Sequence, residues 1–97
     1  IKYLGHRISP AEIEGVLNGC AGVAESAVVV VRRENGTQIK AFIVPSDGRL
    51  SPEDVNDHAR KSLPALKRPQ VIEFIEALPR TASGKIMRSV LREKDAH

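Results

Sequence analysis

The sequence predicts a small α+β domain, with three helices flanking a short, mainly antiparallel sheet of about three strands. Three observations predict it. Two segments open on Ser-Pro and continue at helical spacing. A β-branched run is followed, across an Asn-Gly turn, by a second apolar run. A basic helical stretch lies close to the end. The 97 residues suit one domain with a modest core, too small to wall off a deep substrate cavity from water.

The first helix is predicted from "ISPAEIEGVLNG". Ser9 caps it, Pro10 suits the first helical position, and Glu12, three residues after Ser9, completes a capping box. Ile8 and Ile13 are spaced as a hydrophobic staple, Ile13, Val16 and Leu17 form the buried stripe, and Asn18-Gly19 supplies a left-handed ending. The run "ESAVVVV" lacks polar alternation, as a strand covered on both faces should, and "QIKAFIV" follows the turn carrying Asn35-Gly36 to pair antiparallel with it. The second helix is predicted from "LSPEDVNDHARKSLP", with Ser51 as cap, Leu50 stapled onto Val55, and Pro64 as the stop. A third strand over 70–76 puts Val71, Glu73 and Ile75 on one face and Ile72, Phe74 and Glu76 on the other, its charges marking a less buried place. The last helix follows "PRTASGK", with Ile86, Val90 and Leu91 inward and Arg88, Arg92 and Lys94 outward.

Composition narrows the function classes. No apolar run reaches the length needed to span a bilayer, and the start of the sequence has no leader pattern. Cys20 is the only cysteine, which forbids an internal disulfide and fits a reducing, cytoplasmic compartment. A net charge of +3 favours anionic ligands without selecting among nucleotides, coenzymes and nucleic acid. An aromatic content of 3% supplies no base-stacking platform, so a freestanding basic nucleotide- or nucleic-acid-binding module is the weaker alternative.

The chemistry concentrates on Gly84 and Lys85. A P-loop needs glycine five positions before Gly84 and Ser or Thr after the lysine; Pro79 and Ile86 stand there instead. What remains is a loop that Gly84 lets turn tightly and from which Lys85 projects a cation. His6, His58 and His97 have no partners at metal-ligand spacing, Cys20 has no local helper, and Glu12 and Glu14 point to different sides of their helix. No metal site, Cys/His nucleophile or carboxylate pair is therefore indicated.

Two stretches together reach further. "IKYLGHRISPAEIE" and "LPRTASGKIMRSVLR" resemble two signature segments in the small C-terminal domain of the adenylate-forming superfamily, which includes acyl- and aryl-CoA synthetases, peptide-synthetase adenylation domains and luciferases. The order and separation of the segments match, and "LKRPQVIEFIEALP" resembles the approach to that domain's third strand. The resemblance implies a mobile C-terminal lid spanning residues 1–97, with a large N-terminal domain and a hinge residue before Ile1 lying outside this sequence, so that this chain alone is inactive.

It also implies a two-step reaction. A carboxylic acid attacks ATP to give an acyl-adenylate and pyrophosphate; a thiol, usually that of CoA, then displaces AMP. In the first pose Lys85 contacts the substrate carboxylate and the nucleotide oxygens; in the second, Lys2 and Arg7 position the adenylate phosphate and Gly5 lets the pantetheine arm pass. ATP with Mg2+ is implied to bind mainly in the N-terminal domain. CoA is the implied acceptor on the strength of "SGKIMRSVLR". Carrier-protein phosphopantetheine is the alternative, because the short turn "RRENGTQ" resembles carrier-loading relatives. "PRTASGK" also resembles a context in which an acetyltransferase silences the lysine, here Lys85.

Overall fold

The computed structural model describes residues 2–3, 6–7, 9–34 and 36–95, with the side chains of Lys2, Tyr3, His6, Arg7 and Asp95 left aside. Two short strands come first, β1 (Lys2–Tyr3) and β2 (His6–Arg7), paired antiparallel with Lys2 opposite Arg7 and Tyr3 opposite His6. This pair is not predicted from sequence, because two-residue strands carry too little alternation to register. Next come α1 (Pro10–Leu17), β3 (Val23–Arg33), β4 (Gly36–Pro45), α2 (Pro52–Ser62), a 3-10 turn (Ala65–Lys67), β5 (Val71–Phe74) and α3 (Arg88–Asp95).

The second sheet has the order β3-β4-β5. The long β3–β4 pair is antiparallel, running from Arg33 opposite Gly36 to Val23 opposite Pro45. The sheet is thus mainly antiparallel, as expected, while β5 runs parallel to β4, with Lys40 opposite Val71 and Ile43 opposite Phe74. The sheet is mixed because α2 and the 3-10 turn lie between β4 and β5. A crossover of that length returns the chain to the end from which β4 began, which a tight turn cannot do.

Both faces of the sheet are covered, as the unbroken valine run of β3 predicts. On one face Ile13 and Leu17 of α1 and Val55 and Ala59 of α2 pack with Val28, Ile39, Ala41 and Ile43. On the other, Ala27, Val29, Val31 and Phe42 pack with Leu78 and with Leu91 of α3. Val16 and Leu50 border the first cluster, as the stripe and the Leu50 staple require. Ile8, the other staple residue, and Asn35 of the turn lie outside the described residues.

The helix ends are partly as predicted. Ser9 accepts a hydrogen bond from the Glu12 N–H at 3.3 Å. The Glu12 carboxylate does not complete the box; it pairs with Lys67 Nζ at 3.1 Å, a partner 55 residues away that local spacing cannot reveal. The reciprocal box instead forms at α2, between Ser51 and Asp54. The predicted left-handed ending at Asn18-Gly19 is also absent: Asn18 is right-handed at φ −65°, and the positive φ falls later, at Gly22 (+94°). Leu63, preceding Pro64, is extended, so α2 stops where a proline obliges it to.

Two predictions about α3 need correction. Val90 is 38% exposed and lies outside the core. Arg88 is not fully outward: its guanidinium is half-buried and forked onto Glu14. An arginine at the first turn of a basic helix reads as solvated unless a buried carboxylate on a distant element is known.

Candidate functional site

Residues 78–87 form a compact loop between β5 and α3. Leu78 and Ile86 pack against the second cluster and anchor its two ends. Arg80 and Ile86 form an antiparallel bridge, and the Met87 N–H donates to the Pro79 carbonyl at 2.9 Å. Inside the bridge, Thr81 to Gly84 is a turn closed by a 2.9 Å bond from the Gly84 N–H to the Thr81 carbonyl. Gly84 has φ +91°, with open space where a β-carbon would stand; backbone conformation, rather than crowding, calls for glycine there.

Lys85 follows directly. Its carbonyl accepts from the Thr81 N–H at 2.9 Å, and its own N–H donates to Thr81 Oγ1 at 3.1 Å. The side chain is exposed, and its ammonium has no carboxylate partner among the described residues. Neighbouring cations are compensated. Arg80 pairs with Glu25 of β3 and donates from Nη1 to the Gly84 carbonyl at 2.6 Å. Arg88 Nε lies 3.1 Å from Glu14 Oε2, and the same Glu14 oxygen accepts from the Val28 N–H at 2.7 Å. The buried Glu14 therefore satisfies the outer edge of β3 and the start of α3 together. Further along α3, Lys94 reaches Glu73 at 3.1 Å, while Lys40 binds the other Glu73 oxygen at 3.0 Å. The hydrogen bond from Lys40, aided by Lys94 and opposed by partial burial, holds the Glu73 carboxyl below the usual range.

The other sequence candidates separate into groups. Lys2 and Arg7 are brought together as cross-strand partners in the hairpin that leads into α1; Gly5 lies outside the described residues. Lys85 belongs to the segment leading into α3, and α1 and α3 cover opposite faces of the sheet. His58 donates from Nε2 to the Val16 carbonyl at 2.8 Å, tying α2 to α1, and His97 lies outside the described residues. Cys20 is buried, and that burial, with Asp54 nearby, pushes its thiol pKa up, the reverse of nucleophile activation. Among the described residues, no group of three His, Cys, Asp or Glu side chains is placed to hold a metal ion. Sequence reasoning missed the roles of Glu14, Glu25, Arg80 and Arg88; the signal for Glu14 was a carboxylate flanking Ile13 and one turn before Leu17 on the buried stripe.

A sequence profile described as the AMP-binding enzyme C-terminal domain matches residues 12–85. The chain belongs to this family. Among curated relatives, this domain is 40% identical over 98% of its length to a long-chain-fatty-acid–CoA ligase of Yersinia pestis. It is 42% identical over 97% of its length to the fatty acid–[acyl-carrier-protein] ligase ScoC of Streptomyces coeruleorubidus. Among solved structures, a Mycobacterium tuberculosis fatty acyl CoA synthetase superposes with a TM-score of 0.89 at 36% identity over 97% of this chain. The chain spans only 17%, 18% and 19% of those three proteins, respectively. The nucleic-acid reading finds no support: Arg88 and Lys94 of the basic helix are engaged by Glu14 and Glu73.

Proposed function

We propose that this C-terminal domain is the mobile lid of an ATP-dependent, AMP-forming acid–thiol ligase of the cytoplasm, completed by an N-terminal domain that holds ATP and the acid. The observation that carries the reading is Lys85: an exposed, uncompensated ammonium on a loop whose backbone is fixed on both sides. Adenylation brings a carboxylate against a polyphosphate, and two anions approach only if a cation offsets their repulsion. A preorganised ammonium does so as charge shifts from the attacking carboxylate oxygen through phosphorus to the departing pyrophosphate. The donors around Lys85 are a guanidinium and the hydroxyls of Thr81 and Ser83, which bond each other at 2.9 Å. This set does not fit Mg2+, which is assigned to the N-terminal domain, and no step here passes through it.

In the second step the lid turns and the β1–β2 hairpin faces the adenylate. Lys2 and Arg7, opposite one another in register, are assigned to its phosphate and Gly5 to passage of the pantetheine arm. CoA is the preferred acceptor. A carrier-protein phosphopantetheine is the second reading, favoured by the 42% identity to a carrier-protein ligase. A panel of carboxylic acids with CoA and holo-carrier protein as competing acceptors distinguishes the two.

The test of Lys85 separates the half-reactions. In the full-length enzyme, Lys85→Ala is expected to cut acid-dependent ATP–pyrophosphate exchange about 10²–10³-fold while sparing thioester formation from a preformed adenylate. Equal loss in both would overturn the assignment. Acetylation of Lys85 removes the same charge and is expected to mimic the substitution in the exchange assay; full exchange by stoichiometrically acetylated enzyme would exclude that control.

A further inference from the structure

We propose that Glu25, on β3 and 55 residues from Arg80, is a positioning residue for Lys85 that acts through Arg80. The inference rests on the reading of Lys85 just given. A lysine ammonium rides on a four-carbon stem with several rotatable bonds, so the fold can preorganise only its base, meaning the direction in which the Cα–Cβ bond leaves the backbone. That direction follows from the plane of the peptide unit joining Gly84 to Lys85. Gly84, at φ +91° and with no side chain, does little to fix that plane by itself.

Both polar groups of this peptide unit are held. Its carbonyl, on Gly84, accepts from Arg80 Nη1 at 2.6 Å, and its N–H, on Lys85, donates to Thr81 Oγ1 at 3.1 Å. Thr81 belongs to the turn itself and moves with it. Arg80 does not have to: its second nitrogen, Nη2, pairs with the Glu25 carboxylate on the sheet. The rigid guanidinium plane thereby ties the peptide beside Lys85 to a strand paired with β4 continuously from Glu25 to Arg33. Glu25 sits next to the register irregularity between Val23 and Glu25, where the β3–β4 ladder departs from regular pairing. Bulges of this kind re-aim a side chain.

The test uses the full-length enzyme. Displacing a reacting group by about 1 Å can cost about 10²-fold, so a loosened anchor is expected to lower kcat for pyrophosphate exchange about tenfold in Glu25→Ala and in Arg80→Lys, which keeps the charge but loses the fork. Glu25→Gln retains an acceptor oxygen and should lose less than Glu25→Ala. Thioester formation from preformed adenylate, the KM for ATP and the melting temperature should stay at wild-type values, because a merely structural role would move stability and both half-reactions together. The Glu25→Ala/Arg80→Lys double variant should be no slower than Arg80→Lys, since both residues act along one chain of contacts. Unchanged exchange in both single variants, equal loss in the two half-reactions, or additive losses in the double variant would overturn the proposal. Lys85→Ala run in parallel separates the two claims. If it is impaired while the anchor variants are not, positioning fails and Lys85 stands; if it is unimpaired, the reading of Lys85 fails and the positioning proposal falls with it.

Discussion

The face of the central sheet under α1 and α2 has an aliphatic centre, built from Ile13, Leu17, Val55, Ala59 and the strand residues they meet, with Ser26 of β3 buried against the Glu14 carbonyl of α1 beside it. The face under α3 is mixed. Phe42 and Leu91 are buried there, but Lys40 lies 4.9 Å from the centre of the Phe42 ring and, with Lys94, holds Glu73. The contrast teaches where rigidity and where placement come from. Aliphatic packing is non-directional and stabilises through area, whereas charged pairs act through geometry and fix one segment against another. The loop presenting Lys85 leads into the second face, where register matters more than bulk.

Breaking the aliphatic face should cost most. Leu17→Ala removes a fully buried side chain and is expected to lose about 2–5 kcal/mol in urea denaturation, without a selective effect on either half-reaction. Removing the tie between the faces comes next. Glu14→Ala leaves the Val28 N–H and the Arg88 guanidinium unpaired. Because Arg88 remains partly open to water, the expected loss is about 2 kcal/mol, below the 3–5 typical of a fully buried pair. Glu14→Gln should recover part of it by keeping an acceptor for Val28.

A backbone test sharpens the comparison at the border of the first face, where Leu50 packs. Gly22→Ala forces a side chain into a left-handed conformation at φ +94° and puts its β-carbon 3.2 Å from Leu50 Cδ1. A loss of about 1–2 kcal/mol is expected, read as a lower urea midpoint with unchanged slope.

The smallest effect lies in the ion pairs of the second face and appears in pH dependence. The folded-state pKa of Glu73 is depressed, chiefly by Lys40. Its contribution is therefore complete above the ordinary glutamate value near 4.3 and is lost as pH falls below that, through the lower folded value. With Glu73 more than a third exposed, the contribution is expected to stay below about 1 kcal/mol. Lys40→Met should flatten the stability profile between pH 5 and pH 3 (approximate bounds); an unchanged profile would remove Lys40 as its cause.

The same division governs what could be read from the residues. The Ser-Pro helix starts, the valine strand covered on both faces, the Leu50 staple and the extended residue before Pro64 are local consequences of capping, periodicity and proline sterics, and each is present. The exposed place of Lys85 after a glycine turn was legible, because glycine followed by lysine on the way into a helix is a local pattern. Its supports were not. Arg80 reads as one more surface arginine until Glu25 is placed beside it, and Glu12 reads as a capping partner until Lys67 arrives.

The sequence by itself determined the helices, the turn of the long hairpin and the core-forming stripes, since neighbours within about four positions dictate these features, and the order and spacing of its signature segments carried the family. Only the tertiary structure decided the parallel pairing of β5, the fork of Arg88 on Glu14 and the tether from Glu25 through Arg80 to the Lys85 loop. The physical reason is separation. Those partners lie tens of residues apart, and a hydrogen bond or ion pair across such a distance leaves no periodic mark on the chain that makes it.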